Sequence, residues 1–265
     1  MRVAALTPFG AEAFGFDCTA ADEEAAIRIG YLVARHKVLV LRSQLATPPQ
    51  FAAFLSRLGP LTFTEGETPV AAAPDLNLVT NIGRDRPPRS VFHTDTSYVA
   101  RPPAITALAA VTLPRSGGET LFSDQVTALA SLRDAHRTCL AGRTVRHAYT
   151  PPGGQETAHH HPLIRVHPVT GARALYLSTP ERCVALSGCD SHTSGRIIAA
   201  LYRHSTRARF VYRHRWRAGD IVLWDNRTTM HRADHSAVEG DRVLHRGLVE
   251  GEAPIAAPAL VRALG

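Results

Sequence analysis

The fold is best predicted from WRAGDIVLWDNRTTMHRADHSAVEGDRVLHRG, residues 216–247. This stretch combines strand-forming segments with His231 and, further along, with Arg242 and Arg246. Gly219 and Asp220 give a turn signal, and the apolar, β-branched run in DIVLWD that follows is typical of a buried strand. VLHRGLV, which begins at Val243, is a second extended candidate. This part of the chain therefore indicates β-structure, with polar residues lying between the strands.

Extended segments recur along the rest of the chain, whereas helical patterns are few. Apolar residues at helical spacing predict helices over 21–36, 48–59 and 191–205. Thr170-Gly171 predicts a hairpin, and the composition of residues 150–162 favours a loop. The further strand candidates are KVLVLR, LNLVT, FHTDTSY, AITALAAVTL, ETLFSD, TVRHAY, LIRVH, ALYLS and RFVYRHRW. Because there is no regular βαβ alternation, we expect a mainly β fold with flanking helices, such as a jelly-roll barrel or sandwich.

The length and composition of the chain are those of a soluble globular protein with a sizeable core. It has 265 residues, of which 45% are hydrophobic and 20% are charged. A β-barrel or sandwich of this length often forms one unit, so we expect a single domain over residues 1–265. The start of the sequence does not resemble a signal peptide, and no apolar run approaches membrane-spanning length.

The net charge of +7 raises the question of a nucleic-acid partner. Arginine supplies nearly all of the positive charge, since Lys37 is the only lysine, and acidic residues are scattered among the arginines. The densest basic stretch, residues 203–217, is interpreted as the exposed edge of a helix and of the next strand. We therefore expect neither a nucleic-acid nor a membrane partner.

The four cysteines show neither zinc-type pairing nor a disulfide framework, so a reducing cytoplasm is the expected location. Cys183 and Cys189 lie in ALYLSTPERCVALSGC, where no histidine base is paired with them, and are interpreted as buried or inert thiols. The run His159-His160-His161 does not predict a second metal site, because adjacent histidines on a loop rarely converge on one ion.

VFHTDTSY, residues 91–98, places an aspartate two positions after a histidine. On a strand, His93 and Asp95 would point to the same side and could hold one metal ion. The 2-His-1-carboxylate site of non-haem Fe(II) oxygenases needs one more histidine. In isolation the motif is weak, and a solvent-facing His and Asp on a strand is the preferred interpretation.

The motif at 91–98, GGETLFSD at 117–124 and the stretch at 216–247 occur in the order found in a known family. Together they resemble the taurine dioxygenase (TauD/TfdA) family of Fe(II)- and 2-oxoglutarate-dependent dioxygenases, over about Val38 to Gly251. The resemblance implies a double-stranded β-helix, or cupin-like jelly-roll, core. It also implies that Trp224, Asp225 and Asn226 are scaffold residues.

Family roles can be carried to individual residues of this sequence. The resemblance implies that His93, Asp95 and His231 bind iron, and that Thr120 and Arg242 contact 2-oxoglutarate. Arg242 lies 11 residues and Arg246 lies 15 residues beyond His231. The further roles that it suggests are a substrate-anion contact for Arg246, with a structural salt bridge as the equal alternative, and a second positive charge near the mouth of the site from Arg89.

The reaction implied by the resemblance uses Fe(II), 2-oxoglutarate and dioxygen. 2-Oxoglutarate would be decarboxylated to succinate while a substrate C–H bond is oxidised, with hydroxylation, desaturation or cleavage all open. Asp95 favours these outcomes over halogenation, because related halogenases lack the carboxylate ligand. The expected substrate is a small anionic or amino-acid-like metabolite, free or carrier-bound. Taurine is disfavoured because residues 61–74 contain no histidine to hold a sulfonate.

Two other functions remain as alternatives at this point. The charge alone would suit a basic β-sandwich module that binds nucleic acid or an acidic partner. A zinc hydrolase could use His93, Asp95 and His231 to activate water. Thr120 and Arg242 would then have no assigned partner. The sequence leaves the oligomeric state open, including a homo-oligomer.

Overall fold

Five α-helices lie in residues 1–83 and 90–258, the part of the chain that the computed structural model describes. They are α1 Glu23–His36, α2 Pro48–Ser56, α3 Gln125–Ala130, α4 Asp134–Leu140 and α5 Ser191–Ser205. The three predicted helices are confirmed as α1, α2 and α5. Asp22, Thr47 and Asp190 cap their first turns by accepting hydrogen bonds from backbone N–H groups. The sequence patterns did not reveal α3 and α4, which are only six and seven residues long.

Strands dominate the fold, as predicted, and the largest sheet has nine of them. Its order is β1-β2-β3-β15-β7-β17-β6-β5, with β4 paired to β17. These strands are β1 Arg2–Ala5, β2 Ala11–Phe14, β3 Val38–Leu41, β4 Leu61–Thr62, β5 Pro69–Val70, β6 Ala73–Thr80, β7 Ile105–Thr112, β15 Ile221–Asp225 and β17 Val243–Val249.

Three smaller sheets have three strands each, in the orders β14-β8-β16, β10-β9-β13 and β12-β11-β18. The hairpin at Thr170-Gly171 joins β11 to β12, as predicted. The strands are β8 Thr120–Asp124, β9 Thr144–Tyr149, β10 Thr157–Pro162, β11 Ile164–Val166, β12 Arg173–Leu175, β13 Cys183–Leu186, β14 Val211–His214, β16 Thr229–Ala233 and β18 Ile255–Ala256.

A buried cluster joins the large sheet to β14-β8-β16 and makes the two a sandwich of jelly-roll type. It combines Val222, Trp224 and Leu244 of the large sheet with Phe122 of β8 and Tyr212 of β14. Alternate residues of each strand face this interior, since side chains alternate across a sheet. Phe122 and His231 are directly paired across β8 and β16, so their side chains lie on the same inner face.

The other face of the large sheet is covered by α1 and α2. A second buried cluster combines Ile29 and Val33 of α1 and Phe51, Phe54 and Leu55 of α2 with strand residues on the face opposite the sandwich interior. Gly247 on β17 allows this close packing, because a Cβ there would lie 2.2 Å from Leu55 Cδ1. The flanking helices therefore fix the sheet from outside and leave its inner face for a site.

Two local predictions are wrong. Residues 157–162, expected within a loop, form β10, which pairs antiparallel with β9 in a continuous register. FHTDTSY, expected to be a strand, contributes one isolated bridge between His93 and His231, after which the chain turns from Asp95 onward. The turn includes Thr96 at φ +36°, a backbone conformation that an extended strand does not contain.

The basic stretch at 203–217 spans the end of α5, a 3₁₀ turn at Ala208–Phe210 and the edge strand β14. This is the position predicted for it. All four cysteines are free. Across residues 1–83 and 90–258, no helix combines the length and apolar character that crossing a bilayer requires.

Candidate active site

His93, Asp95 and His231 converge at the inner face of the sandwich. Their potential ligand atoms all lie within 4.8 Å of one another, and among the described residues this is the one such group of three or more His, Cys, Asp or Glu side chains. Asp95 Oδ1 is 3.8 Å from Nε2 of each histidine. The three side chains therefore surround a common point, as the sequence predicted.

His93 and Asp95 do not lie on the continuous strand that the sequence had predicted for residues 92–98. The backbone N–H of His93 donates to the carbonyl of His231, and that of His231 donates to the carbonyl of His93, both at 2.9 Å. His231 lies on β16, which is held by β8. The turn that starts at Asp95 then brings its carboxylate back to the two rings, so a cross-strand pair and a turn build the site.

The histidine rings are oriented by their surroundings. His93 Nδ1 lies 3.0 Å from the carbonyl oxygen of Val91, to which it donates in the tautomer that leaves Nε2 with a free lone pair. His231 is packed between aromatic rings, with its centroid 4.5 Å from that of Trp224 and 6.4 Å from that of Phe122. Both Nε2 atoms are thus available on the side that faces Asp95.

A chain of hydrogen bonds holds the carboxylate of Asp95. Thr106 Oγ1 donates to Asp95 Oδ2 at 2.8 Å and accepts from Asn226 Nδ2 at 2.7 Å. Asn226 Oδ1 in turn accepts from Trp224 Nε1 at 3.1 Å. The residues implied to be scaffold therefore act on the carboxylate through Thr106, a link that the sequence did not reveal. Asp225 instead accepts from His167 and Arg227.

The protonation states of the three side chains suit a divalent cation. Burial lowers the pKa of His231 to about 3 and also lowers the pKa of His93, so both imidazoles are neutral at neutral pH. Burial acts to raise the pKa of Asp95, but the surrounding groups, among them the cationic Arg246 and the hydrogen bond from Thr106, together outweigh burial and lower that pKa to about 2. Two neutral imidazoles and one carboxylate are the donor set of a non-haem Fe(II) site, so these residues fit iron.

Arg242 supplies a buried cation a short way along the chain from His231. It is 2% exposed, and burial alone lowers its pKa to about 10. Its Nε donates to the carbonyl of Gly118 at 3.0 Å, and no carboxylate of the described residues lies within ion-pair distance. A buried guanidinium without an anion is costly, so the carboxylate of a ligand would stabilise this one.

Glycine at position 118 makes room for that guanidinium, since a Cβ there would lie 3.0 Å from Arg242 Cδ. Thr120, two residues further on, is buried in β8 and accepts a hydrogen bond from Trp216 Nε1 at 3.2 Å. It pairs with Ala233, two residues beyond His231. Thr120 and Arg242 thus both lie close to Gly118. Thr120 begins β8, the strand that pairs with the His231 strand β16.

Arg246 lies between two carboxylates. Its NH2 is 3.1 Å from Glu67 Oε1, and its NH1 is 3.8 Å from Asp95 Oδ1. Arg246 Nε is buried without a hydrogen-bond partner in the described part of the chain. The ion pair of the structural alternative is therefore present, and a substrate-anion role stays a prediction. Arg89, the other predicted substrate contact, lies outside the described residues.

A cavity of about 650 Å³ opens beside His93. Its walls include Glu67, Tyr149, Thr179 and Arg182. Sequence reasoning missed these residues because they come from separate parts of the chain and share no spacing or motif. The cavity offers a substrate direct access to the His93 side of the triad.

The remaining histidines and thiols stay outside the triad. His161 Nε2 lies 3.0 Å from the carbonyl oxygen of Val99, and His147 Nδ1 lies 3.0 Å from Ser97 Oγ. Cys183 Sγ is 3.9 Å from His147 Nδ1, a neighbour that the sequence did not predict. Burial raises the pKa of Cys183 to about 12, so the thiol stays protonated, in agreement with the prediction of an inert thiol.

Comparisons with known proteins identify one family. The family model "Taurine catabolism dioxygenase TauD, TfdA family" matches residues 2–248. Pentalenolactone F synthase from Streptomyces arenae is 34% identical over 234 residues, which are 73% of this chain and 76% of that protein. A putative alpha-ketoglutarate-dependent sulfonate dioxygenase from Schizosaccharomyces pombe is 32% identical over 175 residues, 62% of this chain but only 44% of that protein.

A solved structure extends the likeness to the whole fold. The crystal structure of a putative alpha-ketoglutarate-dependent taurine dioxygenase from Burkholderia xenovorans matches with a TM-score of 0.87 and 31% identity, over 96% of this chain and 94% of that one. The predicted jelly-roll core is thereby confirmed. The chain belongs to the TauD/TfdA family of Fe(II)- and 2-oxoglutarate-dependent dioxygenases.

Proposed function

We propose that this dioxygenase oxidises a C–H bond of a small anionic or amino-acid-like metabolite, with release of succinate and carbon dioxide. The observation that carries the proposal is the pairing of a His-Asp-His group, in which Asp95 and His231 are buried, with a buried guanidinium that has no anionic partner among the described residues. A keto acid with two carboxylates can satisfy both, one end at the metal and the other at Arg242.

Each residue has a distinct part in this proposal. His93, Asp95 and His231 would hold Fe(II), which, when bound, supplies open positions at which the keto acid and dioxygen react. Arg242 would bind the distal carboxylate of 2-oxoglutarate, and the hydroxyl of Thr120 would donate to the same group. Thr106 would keep the carboxylate of Asp95 turned toward the histidines.

The anionic class of substrate draws support from relatives and from the site. Two of these relatives are a putative sulfonate dioxygenase and a putative taurine dioxygenase, and both sulfonates and taurine carry an anionic sulfur group. Taurine itself remains disfavoured, because residues 61–74 contain no histidine. The placement of the target carbon determines whether the oxidation hydroxylates, desaturates or cleaves the substrate. The proposal includes both free and carrier-bound substrates. It is compatible with a monomer and with a homo-oligomer.

A cytoplasmic location is part of the proposal. Its support is the presence of four free cysteines, two of them buried, since thiols persist in reducing compartments. Fractionation of cells that express the full chain tests it, and recovery outside the cytoplasmic fraction would contradict it.

Family membership favours the dioxygenase over the zinc hydrolase and the binding module. A zinc hydrolase would leave Arg242 buried without an anion, whereas 2-oxoglutarate provides one. The binding module rests on net charge alone, and the densest basic stretch lies on the edge strand β14 and the end of α5.

Anaerobic absorption spectroscopy tests the proposal. A keto acid chelated to Fe(II) gives a metal-to-ligand charge-transfer band, so we expect the band to appear when 2-oxoglutarate is added to the iron-loaded protein. Arg242→Gln should require about ten to a hundred times more 2-oxoglutarate to reach the same band, because a buried charge-assisted pair is lost. His93→Ala and Asp95→Ala should abolish both the band and succinate formation.

The matched control is Arg209→Gln, which removes an exposed arginine of the 3₁₀ turn before β14. It should leave the band and its 2-oxoglutarate dependence unchanged. Absence of the band from folded, iron-loaded wild-type protein would contradict the proposal, and zinc content and salt-dependent binding to nucleic acid would then be measured instead.

A further inference from the structure

Arg182 is the arginine that lines the cavity beside His93. It immediately precedes β13, and its carbonyl accepts a hydrogen bond from the backbone N–H of Ala148 on β9 at 2.8 Å. The pairing of β9 with β13 therefore fixes the start of its side chain. Arg182 and His93 line the same cavity, so the guanidinium faces the space that leads to the His93 side of the triad.

The guanidinium of Arg182 packs over a pair of tyrosine rings. Its Cζ lies 5.1 Å from the ring centroid of Tyr149 and 5.4 Å from that of Tyr98, and the two centroids are 4.9 Å apart. Cation–π packing uses the flat face of a guanidinium. Packing of this kind leaves the N–H donors along the edge of a guanidinium available for a planar or tetrahedral anion.

The charges around the cavity leave Arg182 as the cation without a carboxylate. Glu67 pairs with Arg246, and Glu156 pairs with Arg146. Glu181, the remaining carboxylate of the cavity wall, has an interaction of its own. In the described part of the chain, no carboxylate lies within ion-pair distance of Arg182.

Arg246 differs from Arg182 in this respect, because two carboxylates already surround it. A substrate anion at Arg246 would have to displace Glu67 or compete with Asp95, whereas an anion at Arg182 meets no carboxylate competitor.

We propose that Arg182, presented by Tyr98 and Tyr149, binds the anionic head group of the substrate in the cavity beside His93. This inference rests on the proposed function and specifies its substrate class as organic monoanions, such as carboxylates, sulfonates or sulfate esters. The rest of the substrate then extends from Arg182 toward His93, so Arg182 determines which substrate carbon faces the triad of His93, Asp95 and His231.

Calorimetric titration of the anaerobic protein loaded with Fe(II) and 2-oxoglutarate tests the inference. The probes are taurine and two pairs matched in shape: phenoxyacetate with phenoxyethanol, and hexyl sulfate with hexanol. We expect at least one anion to bind about tenfold or more tightly than its neutral counterpart. Arg182→Gln should remove this preference, and Arg182→Lys, which keeps the charge but loses the planar fork, should retain part of it.

Arg209→Gln is the matched control, because Arg209 also packs over an aromatic ring, 4.6 Å from the centroid of Phe210, and is not among the cavity residues. It should keep the wild-type preference. An anion preference that survives in Arg182→Gln, or wild-type protein that binds no probe anion better than its neutral counterpart, overturns the inference. The charge-transfer band separates the two proposals: its absence in wild-type protein refutes the proposed function, whereas a normal band without anion preference refutes only the role of Arg182.

Discussion

At the scale of single residues, Thr106 shows how a neutral side chain can control a metal ligand. Its hydroxyl donates to Asp95 and accepts from Asn226, and all three side chains are buried. Thr106→Val should lower Fe(II) affinity about tenfold to a hundredfold, the usual cost of losing a hydrogen bond to a metal-binding carboxylate. Calorimetric titration with Fe(II) under anaerobic conditions measures the change.

Thr127→Val is the control, because Thr127 also donates to a carboxylate, that of Asp124, at 2.6 Å, but is exposed on α3. It should leave Fe(II) affinity unaltered. Equal affinities in wild-type protein and Thr106→Val would show that Asp95 holds its orientation without Thr106.

The burial of His147 predicts how the free energy of unfolding depends on pH. Burial lowers its pKa to about 3, against about 6.5 in an unfolded chain. Between these values the unfolded state binds the proton and the folded state does not, so the free energy of unfolding falls as pH decreases below about 6.5. This one group should account for about 1 kcal/mol of lost stability between pH 7 and pH 5.5. Denaturant unfolding across that range should show a shallower loss in His147→Gln than in wild-type protein, and parallel curves would contradict the assignment.

At the scale of elements, the sequence revealed structure where the pattern was local. The helices α1 and α5 have apolar residues at helical spacing and acidic N-caps, and both were predicted. The strand prediction for FHTDTSY was wrong, because the alternation of residue types does not reveal the turn at Thr96. The strand β10 was hidden because four of its six residues are exposed. Arg182 and Glu67 could not be found at all, since the cavity joins segments that are more than a hundred residues apart.

Gly247 tests the packing of α2 on the large sheet. Gly247→Ala should lower the free energy of unfolding by about 1–3 kcal/mol, because the new methyl group overlaps Leu55 and forces helix and strand apart. The same substitution at Gly195, inside α5 with no atom within 4 Å of its Cβ position, should instead stabilise the protein by about 0.5–1 kcal/mol. Chemical denaturation measures both values, and a neutral Gly247→Ala would show that Leu55 can move without cost.

At the scale of the whole molecule, the candidate ligands come from segments spread over the chain. His93 and Asp95 follow β6, Thr120 begins β8, and His231 and Arg242 belong to the stretch around β16 and β17. Buried clusters join these elements, since one contains both the large sheet and β8. Such a layout fits our proposal that residues 1–265 form a single domain, in which local loosening at the site and global unfolding are coupled.

Ligand binding therefore should stabilise the protein as a unit. Fe(II) and 2-oxoglutarate, if they bind only the folded state, should each raise its stability by about 2.7 kcal/mol at a hundred times the respective dissociation constant. Anaerobic scanning calorimetry should show one transition, shifted to higher temperature by the two ligands and returned by a chelator. Asp95→Ala should show one transition that the ligands do not move. Two transitions, of which the ligands shift only one, would instead divide the chain into separate folding units and place the metal group in one of them.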